Sequence, residues 1–277
     1  MKLFFLTSLV MTAFALNSVL ARLAMVSDSI GPSNFATIRA GAGALTLILL
    51  VLIINKTIPK FTYLTVLRGI ALVFYLIGFS FAYLTIDTGI GALILFGGSM
   101  FIMFVGALFL NESITKIRII GMALALFGLF ILVDPRFSEN SLYGIILMFF
   151  ASFGWGLYTV LGHEQKAPLS NTAGNFVLAL LLLLPLTFFM PDSVQASSYG
   201  ISLALVSGSI TSGIGYALWY FILPKIKIAT ASTAQLTVPL IAAMGGYLFM
   251  SEILNWQFYV ASVLILGGIS LPFFFKK

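Results

Sequence analysis

The chain has 277 residues, 61% of them apolar and 8% charged, and a formal net charge of +6. A soluble domain carries about 25% charged residues, and no water-soluble fold of this length hides so much hydrocarbon, because part of any globule faces solvent. With no cysteine, and with His163 as its one histidine, it excludes disulfides, zinc–thiolate sites, iron–sulfur clusters and multi-histidine metal centres. No nucleotide-binding loop, catalytic triad or metal motif is present, so neither a cofactor nor an enzyme is expected.

A spanning helix needs about 20 mainly apolar residues, and ten such runs are predicted. The first, Leu3–Leu23, carries Asn17, whose amide needs hydrogen bonds and avoids lipid. Lys2 and Ser18-Val19-Leu20-Ala21 also have the form of a secretory signal, but an internal copy of the segment favours a structural helix. The second, Ser33–Ile54, carries Arg39 about two turns in. A charge there costs about 2.5–3.5 kcal/mol by insertion scales, so it faces a cavity or a partner. Its planar donor fork suits a substrate carboxylate or phosphate; a tie to helix-end carbonyls or to Asp87 is the structural alternative. In the third, Tyr63–Ile86, Tyr75, Phe79 and Tyr83 are four apart and share a face. Asp87-Thr88-Gly89 then turns the chain, with Asp87 as a cap for the fourth helix or as a gate.

The fourth run, Gly89–Leu110, holds Gly97-Gly98-Ser99, which permits close helix approach. Glu112 precedes the fifth, Lys116–Val133, and Asp134-Pro135-Arg136 follows it. The sixth, Leu142–Gly162, places Trp155 and Tyr158 where the first has Phe14 and Asn17, and the seventh, Ala173–Met190, contributes Asn175. The eighth, Tyr199–Leu223, carries Gly215, Tyr216, Trp219 and Tyr220. The ninth, Ile228–Met250, carries Gln235, Pro239 and Gly245-Gly246, and Glu252 separates it from the tenth, Trp256–Phe275. Arg39, Asn17, Tyr75, Phe79, Tyr83, Trp155, Tyr158, Asn175, Tyr216, Trp219 and Gln235 are the candidate substrate contacts; helix–helix hydrogen bonding or lipid contact is the alternative for the amides and rings. Asp87, Glu112, Glu252 and Pro239 are assigned to gating or structure.

The halves repeat. Ser18-Val19-Leu20-Ala21-Arg22 falls on Thr159-Val160-Leu161-Gly162-His163, and Asn34-Phe35 on Asn175-Phe176, at a shift of 141 residues. At a shift of 140, Phe79 meets Trp219, Glu112 meets Glu252, and Gly128 meets Gly268. Five spans per copy invert the second, so residues 1–138 and 139–277 form two inverted repeats, a design used for alternating access around a midplane site. With the amino terminus inside, the inner loops and helix ends hold Lys2, Lys56, Lys60, Arg68, Lys116, Arg118, Lys166, Lys225, Lys227, Lys276 and Lys277. Only Arg22 and Arg136 fall outside. This positive-inside bias predicts cytoplasmic termini, and it turns the net charge toward a membrane surface rather than nucleic acid.

Gly89–Val133, with Gly91-Ala92-Leu93-Ile94-Leu95, Leu110-Asn111-Glu112, Gly121 and Gly128, resembles the end of a repeat of the EamA family of drug/metabolite transporters. Thr230–Leu271 resembles the second, with Gln235-Leu236-Thr237-Val238-Pro239, Ser251-Glu252 and Gly267-Gly268. Arg39 and Trp155-Gly156 match further family positions; near Ser99 the family proline is replaced, while Pro239 keeps it. The resemblance implies a basket of ten helices around a central cavity, with the fifth and tenth peripheral. It also implies transport, often export, of amino acids, other metabolites or drugs. No carboxylate lies mid-span, so Arg39 favours an anionic or zwitterionic substrate. The expectation is an all-α secondary transporter, an exporter of amino acids or related compounds, in a bacterial inner membrane. Its partners are the lipid bilayer and a small-molecule substrate, and it acts as a monomer or a homodimer. A multidrug exporter is the nearest alternative. An intramembrane lipid-handling or enzymatic protein would need a nucleophile, acid–base pair or metal cluster that the sequence does not offer.

Overall fold

A computed structural model describes residues 2–59, 61–109, 115–132, 139–163, 167–189, 191–226 and 228–274. Glu112, one of the expected loop anchors, lies outside the described residues. The helical elements are α1 (Lys2–Val26), α2 (Pro32–Asn55), α3 (Tyr63–Ala82), α4 (Thr88–Phe109), α5 (Lys116–Leu132), α6 (Glu139–Gly162), α7 (Pro168–Phe189), α8 (Ser198–Lys225), α9 (Ile228–Gln235), α10 (Thr237–Met250) and α11 (Trp256–Phe274). No strand occurs among the described residues. Seven of these helices (α1 to α4 and α6 to α8) are long and apolar enough to cross a membrane, and shorter apolar helices lie within α5, α10 and α11. The large apolar residues turned outward, among them Phe4, Phe109, Phe130, Phe188 and Ile253, would be untenable in water and suit lipid. The fold is that of an all-α, multi-pass membrane protein.

Backbone chemistry sets the ends. Pro32 opens α2, where its missing N–H costs nothing. The next two amides, Ser33 N and Asn34 N, donate to the Asp192 carboxylate at 3.1 and 2.8 Å, so α2 is capped from the α7–α8 connection. Thr62 and Thr65 form a reciprocal capping box at the start of α3. Positive φ at Lys56 (51°) and Ser251 (54°) ends α2 and α10.

Two spans are irregular. Helix α8 is π-helical over Ser207–Ile214, with α-helix on either side. The ninth predicted span is broken: α9 stops at Gln235 and α10 starts at Thr237. Pro239 has no N–H for the Gln235 carbonyl four residues back, and its ring crowds that carbonyl, so the break falls there. Helix α4, without the proline, runs unbroken from Thr88 to Phe109. The third predicted run overshoots, since α3 ends at Ala82 and the residues to Ile86 form turns.

Packing is mostly between the two halves of the sequence. Helices α3 and α4 lie on α6, α2 on α7 and the π turn, α1 on α10, and α5 on α11. Glycines make the closest crossings. A Cβ on Gly121 would overlap the Gly268 carbonyl oxygen, and one on Gly128 would sit 3.1 Å from the Ala261 carbonyl oxygen. A Cβ on Gly154 would meet Tyr75 N at 2.6 Å, and one on Gly215 would meet Ala13 Cβ at 3.3 Å. Gly106 lies against Val160, and Gly245 against Val19.

Candidate functional site

Arg39 is fully buried at the centre of the bundle. Its Nε donates to Ser212 Oγ at 2.9 Å, and its Nη2 donates to the hydroxyls of Tyr75 at 2.8 Å and Tyr216 at 3.4 Å. The guanidinium carbon lies 4.8 Å from the Phe79 ring centre and 5.1 Å from that of Tyr75, a cation–π arrangement that offsets part of the desolvation. Nη1 has no partner. Among the described residues, both ion pairs belong to Arg22, so Arg39 carries a full positive charge with no carboxylate against it.

The π turn supplies the hydroxyls. Asn17 Oδ1 accepts from Ser207 Oγ at 2.7 Å and from Thr211 Oγ1, and its Nδ2 donates to Ser212 Oγ at 3.4 Å. Asn17 therefore ties α1 to the π turn and, through Ser212, to Arg39. Sequence reading missed Ser207, Thr211 and Ser212, although a run of four hydroxyls and two glycines over residues 207–213, inside an apolar span, was a legible signal. Gly208 is packed against the Arg39 backbone, where a Cβ would meet the Arg39 carbonyl oxygen at 2.5 Å.

Aromatic rings fill the space beside this cluster. Phe14 stands edge-on to Trp155 (5.2 Å), Tyr216 (5.5 Å) and Trp219 (5.7 Å), and Trp155 is 5.3 Å from Tyr75 and 5.1 Å from Tyr216. Trp155 Nε1 donates to the side-chain Oε1 of Gln235 at 2.7 Å, and Gln235 is the last residue of α9. Asn175 Nδ2 donates to the Tyr158 hydroxyl at 3.3 Å, and the Tyr220 hydroxyl donates to the Tyr158 carbonyl at 3.2 Å. Arg39, Asn17, Tyr75, Phe79, Trp155, Tyr158, Asn175, Tyr216, Trp219 and Gln235 are thus joined in one buried network, every member less than 5% exposed. The hollow expected at the centre is occluded by these rings, because aromatic side chains from both halves interlock there.

Tyr83 stands apart from Arg39. It continues the ring ladder from Phe79 at 4.8 Å, but its hydroxyl turns to the Thr88 carbonyl at 3.4 Å, beside a separate charged cluster. Arg22 Nε donates to Glu252 Oε1 at 3.1 Å, Nη2 donates to Asp87 Oδ1 at 3.1 Å, and Nη1 donates to the Tyr83 and Leu84 carbonyls at 2.9 and 3.3 Å. Glu252 also accepts from Thr88 N at 2.9 Å and Thr88 Oγ1 at 3.1 Å. Asp87 pairs with Arg22, not with Arg39 as one alternative had it, because Arg22 sits at the helix end beside the turn and Arg39 lies deeper. The Thr88 amide that opens α4 donates to Glu252 across the bundle. Glu252 thereby joins the α10–α11 connection to α1 and α4.

Comparison with known proteins follows this geometry. The model of the EamA-like transporter family matches residues 142–274. An uncharacterized protein of Pseudomonas aeruginosa is 37% identical over 96% of this chain and 92% of its own length. An uncharacterized transporter of Bacillus subtilis is 22% identical over 88% of both chains. An Escherichia coli protein named "Probable amino-acid metabolite efflux pump" is 23% identical over 76% of this chain and 77% of its own. A crystal structure with 18% sequence identity superposes with a TM-score of 0.74 over 96% of this chain and 97% of that one, which is likeness of fold.

Proposed function

The chain belongs to the EamA-like transporter family, and several of its relatives are named as transporters or efflux pumps; from that premise we propose that it exports small anionic or zwitterionic metabolites, amino acids or compounds like them, by alternating access at Arg39. One observation carries the substrate class: a buried guanidinium with a free Nη1, held by three hydroxyls and two ring faces, and no carboxylate on it among the described residues. A cation that stands in a membrane without a counter-ion is poised for one that arrives with the substrate. The outward direction is supported by the name of the E. coli relative.

Alternating access calls for ten spans in two inverted halves. The glycine crossings support that symmetry. Under the 140-residue shift, the Gly121–Gly268 contact maps onto Gly128–Ala261, and both are made. Gly154–Tyr75 maps onto Ala13–Gly215 when the first helices of the halves are aligned at the shift of 141 and the third at 140. A two-fold axis makes a contact between i and j recur as j with i. In this reading the termini are cytoplasmic, Arg22, Asp87 and Glu252 latch the outer face, and the transporter sits in a bacterial inner membrane.

A second reading, export of lipophilic drugs, is favoured by the packed rings of Phe14, Trp155, Tyr216 and Trp219. Lipophilic cations are disfavoured, because the buried acid among the described residues, Glu252, is taken by Arg22. Purified protein in proteoliposomes, assayed with labelled amino acids, monocarboxylates and lipophilic cations, tests the choice. Flux of carboxylate-bearing compounds that falls about 100-fold or more in Arg39→Ala is expected. Undiminished flux in that variant, or transport of the cations alone, refutes the proposal.

A further inference from the structure

Arg39 Nη1 and Asn175 Oδ1 are buried side-chain atoms with no hydrogen-bond partner, on two helices that pack together. Both side chains are fully buried. One atom is a donor and the other an acceptor. Buried polar groups in native proteins are nearly always paired, so an unpaired donor and acceptor on facing helices ask for a ligand with the opposite pattern. Such a ligand brings an acceptor to the arginine and a donor to the asparagine. An anion alone would leave Asn175 unsatisfied, and an amine alone would leave Arg39 so.

The bonded half of each side chain fixes the free half. Arg39 is held through Nε and Nη2, and Asn175 through Nδ2 on the Tyr158 hydroxyl. Helices α2 and α7 run antiparallel: Thr37 meets Thr187, Gly41 meets Leu180, and Gly43 meets Phe176. Asn175 therefore stands level with a point four or five residues beyond Arg39, about 6–8 Å along the axis. Tyr216 lies between them, accepting from Arg39 and touching the Phe176 ring at 5.4 Å.

We propose, resting on the Arg39 anion site above, that Asn175 is a specificity-determining residue whose Oδ1 accepts a hydrogen bond from an amine or hydroxyl on the substrate, while Arg39 holds its carboxylate. The substrate is then a small carboxylate with a hydrogen-bond donor elsewhere on its skeleton. Plain carboxylates and plain amines each leave part of the site unpaired and bind more weakly.

The test uses intrinsic tryptophan fluorescence, since Trp155 and Trp219 line the site, with full-length protein in nanodiscs. The probes are butanoate, butylamine, 2-aminobutanoate and 4-aminobutanoate. One aminobutanoate is expected to bind at least about tenfold more tightly than butanoate or butylamine. Asn175→Leu brings that compound down to the wild-type affinity of butanoate, and an unchanged circular-dichroism spectrum with a cooperative melt shows that the variant is folded. Equal affinities for butanoate and both aminobutanoates in the wild type overturn the inference, as does an Asn175→Leu variant that weakens all carboxylates alike. Arg39→Ala separates the two claims: butanoate binding that survives it sinks the anion site and leaves the Asn175 comparison standing on its own. No binding of any carboxylate to the wild type sinks both.

Discussion

Glu252 shows how one side chain can hold several elements. Its carboxylate takes three donors, from Arg22 on α1 and from the backbone and hydroxyl of Thr88 on α4, while Gly246 on α10 packs directly on it. A carboxylate with charged and neutral donors outperforms an amide, because it accepts at both oxygens and pairs with the guanidinium. Glu252→Gln turns one oxygen into a donor facing the same donors and is expected to cost about 1–3 kcal/mol. Arg22 keeps Asp87, so the loss stays below that of a fully orphaned buried charge. Thermal unfolding in detergent should show a midpoint lower by about 2–8 °C; an unchanged midpoint would mean that the pair adds nothing to closure. At this scale Arg39 was legible from its cost in lipid, and the amides were legible from theirs. Arg22 was not singled out because a basic residue at a helix end looks like an ordinary loop charge. Its role depends on Glu252, 230 residues away in sequence.

Helix α5 packs along α11 at a crossing where backbone touches backbone, Gly121 against Gly268. Small residues serve such crossings in membranes because lipid chains compete equally for larger apolar side chains. Gly121→Val should therefore force the helices apart, with an overpacking cost of about 1–3 kcal/mol. Gly267 is the control: a Cβ there meets nothing within 4 Å, and Gly267→Ala should be neutral or slightly stabilising. Equal melting of both variants in detergent would remove the crossing as a determinant of stability. Most spans were readable from apolar length. The π turn of α8 was not, because hydropathy averages over the window in which a single extra residue is accommodated. Its hydroxyl-bearing residues, now bonded to Asn17 and Arg39, explain why the irregularity is tolerated at that depth. The break at Leu236 was half legible: Pro239 was expected to matter, and its effect falls on the carbonyl four residues earlier.

For the whole molecule, the lack of cysteine allows a clean topology test. Asn55, at the exposed end of α2, and Gln195, exposed between α7 and α8, should lie on opposite faces if the inverted-repeat reading holds. With a single cysteine at Asn55, an impermeant maleimide should label inverted vesicles and not intact cells; a cysteine at Gln195 should give the reverse. Labelling of both from the same side would overturn the inverted arrangement. The all-helical membrane class followed from composition, since so few charged residues permit little else. The occlusion of the centre did not, because periodicity gives the inward face of each helix and not how far opposing rings interlock.

The hydrogen bonds on Arg39 also have a temporal side. Ser212 and Tyr216 follow it by 173 and 177 residues. At a synthesis rate of about 5–20 residues per second, the guanidinium enters the bilayer roughly 10–35 s before those partners exist. During that wait the nascent first half holds a charge in hydrocarbon with few groups to solvate it, and the faces of α1, α2 and α3 meant for later helices have only lipid to touch. Biogenesis is thus the exposed stage of this protein's life: a ribosome that pauses between the halves prolongs the interval in which membrane quality control can reach the chain, and the arrival of α8 ends it.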